Sequence, residues 1–189
     1  MSDFLMVIFI HYFIRIYLYH MDYFKIYEIP VSFKIDSSLL KKKFYQLSRA
    51  YHPDFFTDAS ATEQEVVLEK SSLINNAFLI LNNPDLLMEY ILTEKKIITA
   101  DEKFQLPNHF LMQVMEVNEK LLEAKMENDV NSIENIKAEI EQLQQAIFEP
   151  VKKNIENYQE DSTNQEELLQ IKSYYYQKKY LKRILESLK

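Results

Sequence analysis

The chain has no glycine and no cysteine among its 189 residues, and only five prolines. Glycine reaches positive φ without steric cost, so its absence predicts that tight turns needing that geometry are rare. Without cysteine there is no disulfide, no thiolate nucleophile and no Cys-based zinc site. The four histidines, His11, His20, His52 and His109, do not stand at metal-ligand spacing beside carboxylates, so neither a metal nor an enzymatic activity is expected. Broad nucleic-acid binding needs a basic footprint, and the net charge of −7 argues against it. What is present is a series of runs rich in Glu, Lys, Gln and Leu, long enough for one or two domains with a sizeable core. That pattern predicts an all-α protein.

The first twenty residues stand apart. Phe4 to Tyr19 is apolar except for His11 and Arg15. Spanning a bilayer takes about twenty apolar residues, so this run is short and carries a charge near its middle. It has neither the basic start nor the small-residue cleavage site of a signal peptide. The adopted expectation is that translation begins at Met21 and that residues 1–20 are an upstream extension, with an interfacial anchor as the alternative. From Met21 the sequence reads as a soluble, cytoplasmic protein, and no membrane partner is expected.

Residues 21–93 read as one module. Met21 to Pro30 reads as a short helix stopped by its proline. Asp36 is a good N-cap for a second helix from Ser37. There Leu40, Phe44, Leu47 and Tyr51 recur at helical spacing as the inward stripe. Residues 37–51 contain no acid, and Lys41, Lys42, Lys43 and Arg49 gather on or beside the opposite face. Such a face is either simply solvated or a basic surface for a partner. The helix runs into Tyr51-His52-Pro53-Asp54-Phe55-Phe56. Pro53 ends it and restricts His52 to extended geometry, which throws His52 and Asp54 outward on a stiff loop. A catalytic His–Asp pair would need a nucleophile and an oxyanion site, and nothing nearby offers either. Ser60-Ala61-Thr62-Glu63 is a capping box for a third helix, with Val67, Ser71, Ile74, Phe78 and Leu81 as its inner face and Ala77 for close packing. Pro84 breaks it at Asn82-Asn83, and Leu86, Leu87, Tyr90 and Ile91 suggest a short fourth helix. The loop after the second helix is short enough to make helices two and three antiparallel neighbours.

Helix, His-Pro-Asp loop and helix in this setting resemble a J-domain, and more narrowly the N-terminal half of the HscB family of iron–sulfur co-chaperones. The narrower resemblance rests on Met21-Asp22-Tyr23-Phe24 with Ile29-Pro30, and on Tyr51-His52-Pro53-Asp54 with Phe56. It also rests on Ile74-Asn75-Asn76-Ala77-Phe78 with Leu81, Pro84 and Glu89-Tyr90-Ile91-Leu92. Phe55 departs from the family, which usually has lysine there, and Leu87 stands where arginine is common. The resemblance implies that Lys41, Lys42, Lys43 and Arg49 face an acidic patch on a DnaK/HscA-type chaperone ATPase. It gives Asp54 the charge contact to a chaperone arginine, His52 a hydrogen bond beside it, and Pro53 the stiffness.

Residues 94–107 read as a connector ending in Leu106-Pro107, with Asn108 as cap for a helix over 109–127. That helix has too wide an apolar face for a bundle. Phe110, Val114, Val117 and Leu121 form one stripe, and Leu111, Met115 and Leu122 form another about 100° round, widened by Met112. Either the helix is buried between two neighbours, or Leu111, Met112 and Met115, rimmed by Glu116 and Glu119, are an exposed patch for a partner. Residues 129–158 carry Ile133, Ile136, Ile140, Leu143, Ile147, Val151 and Ile155 on a long helix kinked at Pro150. Thr163-Asn164-Gln165-Glu166 reads as a capping box for a last helix to about 187, with Leu168, Ile171, Tyr174, Leu181 and Leu185 inward. Residues 108–189 are thus expected to form an antiparallel three-helix bundle. In the HscB family the corresponding bundle binds the iron–sulfur scaffold protein IscU. The resemblance assigns that contact to Leu111, Met112, Met115, Glu116 and Glu119, with an aromatic from the last helix at Tyr175. It implies a co-chaperone with no cofactor of its own that brings the scaffold to the chaperone. A J-domain protein with a different client is the alternative.

Overall fold

A computed structural model of the chain describes residues 22–99, 101–160 and 162–188. The expectations for residues 1–20 lie outside them. All regular structure among the described residues is helical. The chain divides into two compact units, one ending at Leu87 and the other starting at Met88. The sequence reading has a first module over 21–93, a connector over 94–107 and a bundle over 108–189.

In the first unit, α1 (Tyr23–Ile26) is capped by Asp22, whose side chain accepts from the Phe24 N–H at 2.9 Å. It ends earlier than its sequence suggests. Glu28, two residues before Pro30, adopts φ 48°, a left-handed geometry that cannot continue the helix, which ends at Ile26. The absence of glycine has thus shifted this task onto other side chains: Lys96, Asp101 and Asn128 also take positive φ. Tyr27 is buried, and its hydroxyl donates to the Ile74 carbonyl at 2.9 Å. Burial pushes this phenol above the ordinary tyrosine range.

Helix α2 (Ser37–Ala50) starts at Asp36, whose carboxylate accepts from the Ser38 and Leu39 N–H groups. Helix α3 (Ala61–Leu81) starts at the Ser60–Glu63 capping box, with both reciprocal bonds formed. Leu40 faces inward with Val67, Ile74, Ala77 and Leu81. Phe44 stacks on Phe78 at a centroid distance of 4.2 Å, a pairing that adds about 0.5–1.5 kcal/mol beyond burial. Helix α4 (Pro84–Glu94), which begins in the first unit and ends in the second, opens with Asn83, whose side-chain oxygen accepts from the Asp85 and Leu86 N–H groups. Its inward residues are Leu87, Met88, Ile91 and Leu92, while Leu86 is exposed.

In the second unit the connector is pinned to α8 (Gln165–Glu186). The Lys172 ammonium donates to the Ile97 carbonyl at 2.9 Å and pairs with Glu102, while Phe104 stacks on Tyr176 at 4.6 Å. Helix α5 (Asn108–Glu127) begins one residue earlier than expected. Pro107 occupies the cap position without a side-chain bond, and Asn108 is the first helical residue. Asn128, in left-handed geometry, ends α5, and Asp129 caps α6 (Val130–Phe148). The long helix expected over 129–158 breaks at Pro150, which cannot donate a hydrogen bond. There the chain tightens into a 3-10 turn over Glu149–Val151 before α7 (Lys152–Glu156).

The box opening α8 is Asn164 with Glu167, one residue later than Thr163 with Glu166. The Thr163 hydroxyl is already engaged, accepting from the Gln159 N–H at 3.1 Å. The bundle core is built from Phe110, Val114, Val117, Leu121 and Ala124 of α5, Ile136 and Ile140 of α6, and Leu181 and Ile184 of α8. All but Ala124 and Ile184 are positions at which the sequence pattern points inward.

Candidate partner-binding surfaces

The first surface is built on the end of α2. Pro53 occupies the first turn of a short 3-10 helix, Pro53–Phe56, where its missing N–H leaves no bond unmade. His52 precedes it in extended geometry, and its Nδ1 accepts from the Asp54 N–H at 3.2 Å. The same Nδ1 lies 3.6 Å from the Asp54 carboxylate. These two contacts exclude each other as proton-sharing bonds. A nitrogen that accepts the backbone N–H carries no proton to give the carboxylate. The hydrogen-bond geometry is the better of the two and makes His52 the brace of the loop. It leaves the Asp54 carboxylate facing out, with 82% of its side chain exposed. Phe55 is exposed and lies against the His52 ring at 5.7 Å.

Behind the loop, α2 presents Lys41, Lys42 and Arg49 to solvent. Lys43 is less available: it is half-buried and its ammonium approaches Glu28 at 3.4 Å. The sequence reading passes over Tyr45. It lies three residues after Lys42 and four before Arg49, on the basic face, and is exposed. Its signal was present, since an aromatic at that spacing cannot join the Leu40–Phe44–Leu47 stripe.

The second surface lies on α5. Phe110, Val114, Val117 and Leu121 are buried, whereas Met112 is 72% exposed and Met115 61%. The extra apolar arc therefore faces solvent and is not covered by a neighbouring helix among the described residues. Leu111 is half-buried at its edge, and Glu116 and Glu119 are exposed beside it. The Lys120 ammonium lies 2.9 Å from Glu116 and 3.0 Å from Glu139; these carboxylates hold its proton more tightly than in an ordinary lysine.

Tyr175, unlike Met112 and Met115, is not exposed. It is only 5% exposed, its hydroxyl accepts from the Lys179 ammonium at 3.0 Å, and it meets Tyr176 edge-on. It lines a cavity of about 680 Å³ with Phe104, Tyr176, Tyr180 and Arg183, which Leu111, Met112 and Met115 do not line. Spacing along α8 could not reveal this. The connector that encloses Tyr175 is irregular and leaves no periodic signal. Among the described residues no group of three or more His, Asp or Glu side chains is placed to hold a metal ion. None of the described helices is long and apolar enough to cross a membrane.

Residues 106–189 match a family described as the HSCB C-terminal oligomerisation domain. A co-chaperone HscB homologue of Neisseria meningitidis is 35% identical over 146 residues, covering 77% of this chain and 88% of the relative. The human iron–sulfur cluster co-chaperone HscB is 36% identical over 116 residues, 61% of this chain and 49% of the human protein. Its crystal structure matches with a TM-score of 0.72 at 27% identity, over 89% of this chain and 81% of that one. HscB of Vibrio cholerae, 22% identical, shares the fold with a TM-score of 0.60 over 89% of this chain and all of the other. The fold is thus a J-domain followed by a helical bundle, and the length and identity of the Neisseria match carry the assignment: the chain belongs to the HscB family of co-chaperones.

Proposed function

We propose that this co-chaperone stimulates the ATPase of a DnaK/HscA-type chaperone and delivers an IscU-type iron–sulfur scaffold protein to it in the cytoplasm. The observation that carries the reading is the outward Asp54 carboxylate at the end of a basic helix. His52 and Pro53 hold its loop from within, so little ordering remains to be done on docking. Lys41, Lys42 and Arg49 supply orientation and association rate, since exposed pairs are worth under about 1 kcal/mol each. Tyr45 and Phe55 add apolar area to the same contact.

The α5 patch takes the client. Methionine side chains adapt to a partner's shape, and Met112 and Met115 are exposed among the described residues. Binding of the scaffold by wild type, and its loss in a Leu111→Ala/Met115→Ala variant, tests this half. Unchanged binding by that variant would contradict it. A J-domain co-chaperone with another client is the second reading. The observation that favours it is that Tyr175 is buried whereas Met112 and Met115 are exposed, because the family's scaffold contact draws on an aromatic from this helix.

A further inference from the structure

The exposed apolar face of α5 does not end with the proposed client patch. Leu122 is 62% exposed and Met126 76%. Met112, Met115, Leu122 and Met126, with Glu119 in the gap, follow the alternating three- and four-residue steps of a helix–helix seam. From Met112 to Met126 the seam covers roughly 21 Å of helix axis. Its direction is nearly opposite to Phe110, Val114, Val117 and Leu121, which fill the core.

The edges of the seam differ in charge. At about 100° per residue, Glu116, Glu123 and Glu127 fall together on one edge, and Glu119 stands within the seam. Both cations of α5 are engaged by its own bundle. Lys120 pairs with Glu116 and Glu139, and the Lys125 ammonium donates to the Ser187 carbonyl at 3.1 Å. Glu119, Glu123 and Glu127 make no ion pair among the described residues.

We infer that the full length of this face, including Leu122 and Met126, docks an amphipathic helix of a different protein, one with basic residues along one side of its apolar stripe. A second copy of the chain fits poorly. Two α5 helices paired antiparallel about a two-fold axis would set their acidic edges against each other, and the net charge of −7 adds to that repulsion. A basic helix meets the same edge with complementary charge, which fixes its orientation. The inference rests on the client-binding reading above and extends its footprint about three turns beyond Met115.

Calorimetric titration of an IscU-type scaffold into the full chain tests it, comparing wild type, Leu111→Ala/Met115→Ala, Leu122→Ser/Met126→Ser and Glu123→Lys/Glu127→Lys. All four positions in the last two variants are exposed, and unchanged circular dichroism confirms their folding. The expected result is a loss of about tenfold or more in affinity for the Leu122/Met126 variant, with a weaker salt dependence in the charge-reversed one. Binding within about twofold of wild type by the Leu122/Met126 variant, while the Leu111/Met115 variant loses it, would overturn this inference and leave the client reading standing. No binding by wild type would overturn both. A wild-type dimer in sedimentation that the Leu122/Met126 variant abolishes would assign the face to self-association and overturn the inference as well.

Discussion

Asp54 and Tyr27 show two opposite uses of a polar side chain. The Asp54 carboxylate faces solvent and its loop is held by neighbours, so replacing it should leave stability within about 0.5 kcal/mol while removing function. Tyr27 is inside, donating to the Ile74 carbonyl. Tyr27→Phe removes that bond and should cost about 1 kcal/mol in a denaturant titration. The phenol's proton is bound more tightly in the folded state than in the unfolded chain. Its contribution is therefore complete below about pH 10 and is lost as pH rises beyond that, at about 1.4 kcal/mol per pH unit. Wild type should show this alkaline loss more steeply than Tyr27→Phe; identical profiles would contradict the assignment. Residue types made Asp54 legible, because proline geometry throws the loop outward. Glu28 was illegible. Left-handed geometry at a glutamate has no sequence signature, and it moved the end of α1 away from Pro30.

At the level of elements, caps and stripes carried most of the information. Asp36, Ser60 and the Leu40–Phe44–Leu47 pattern place α2 and α3 where they are found, since each is a local bond or a fixed period. The start of α8 shows the limit of that reasoning. Two overlapping boxes fit the sequence, and the choice depends on the Thr163 hydroxyl bonding backward to Gln159. Glu167→Ala should therefore destabilise the chain by about 0.5–1 kcal/mol. Glu166→Ala should stay within about 0.3 kcal/mol of wild type; chemical denaturation distinguishes the two. The over-wide stripe of α5 was legible as an excess, but its direction was not. Only packing shows that Met112 and Met115 face outward while Tyr175 is enclosed.

For the whole molecule, the two surfaces lie in separate compact units, so their functions should separate by mutation. Leu111→Ala/Met115→Ala should lose the scaffold and keep basal stimulation of the chaperone, while Asp54→Asn should keep the scaffold at wild-type affinity. That independence follows from placing each site on its own core. Substitutions with no shared partners act additively. The most direct measurement is the steady-state ATPase rate of a DnaK/HscA-type chaperone with an IscU-type scaffold, with wild type or Asp54→Asn added. Stimulation by wild type and none by Asp54→Asn is the predicted result; equal stimulation by both would contradict the central claim that Asp54 carries activation.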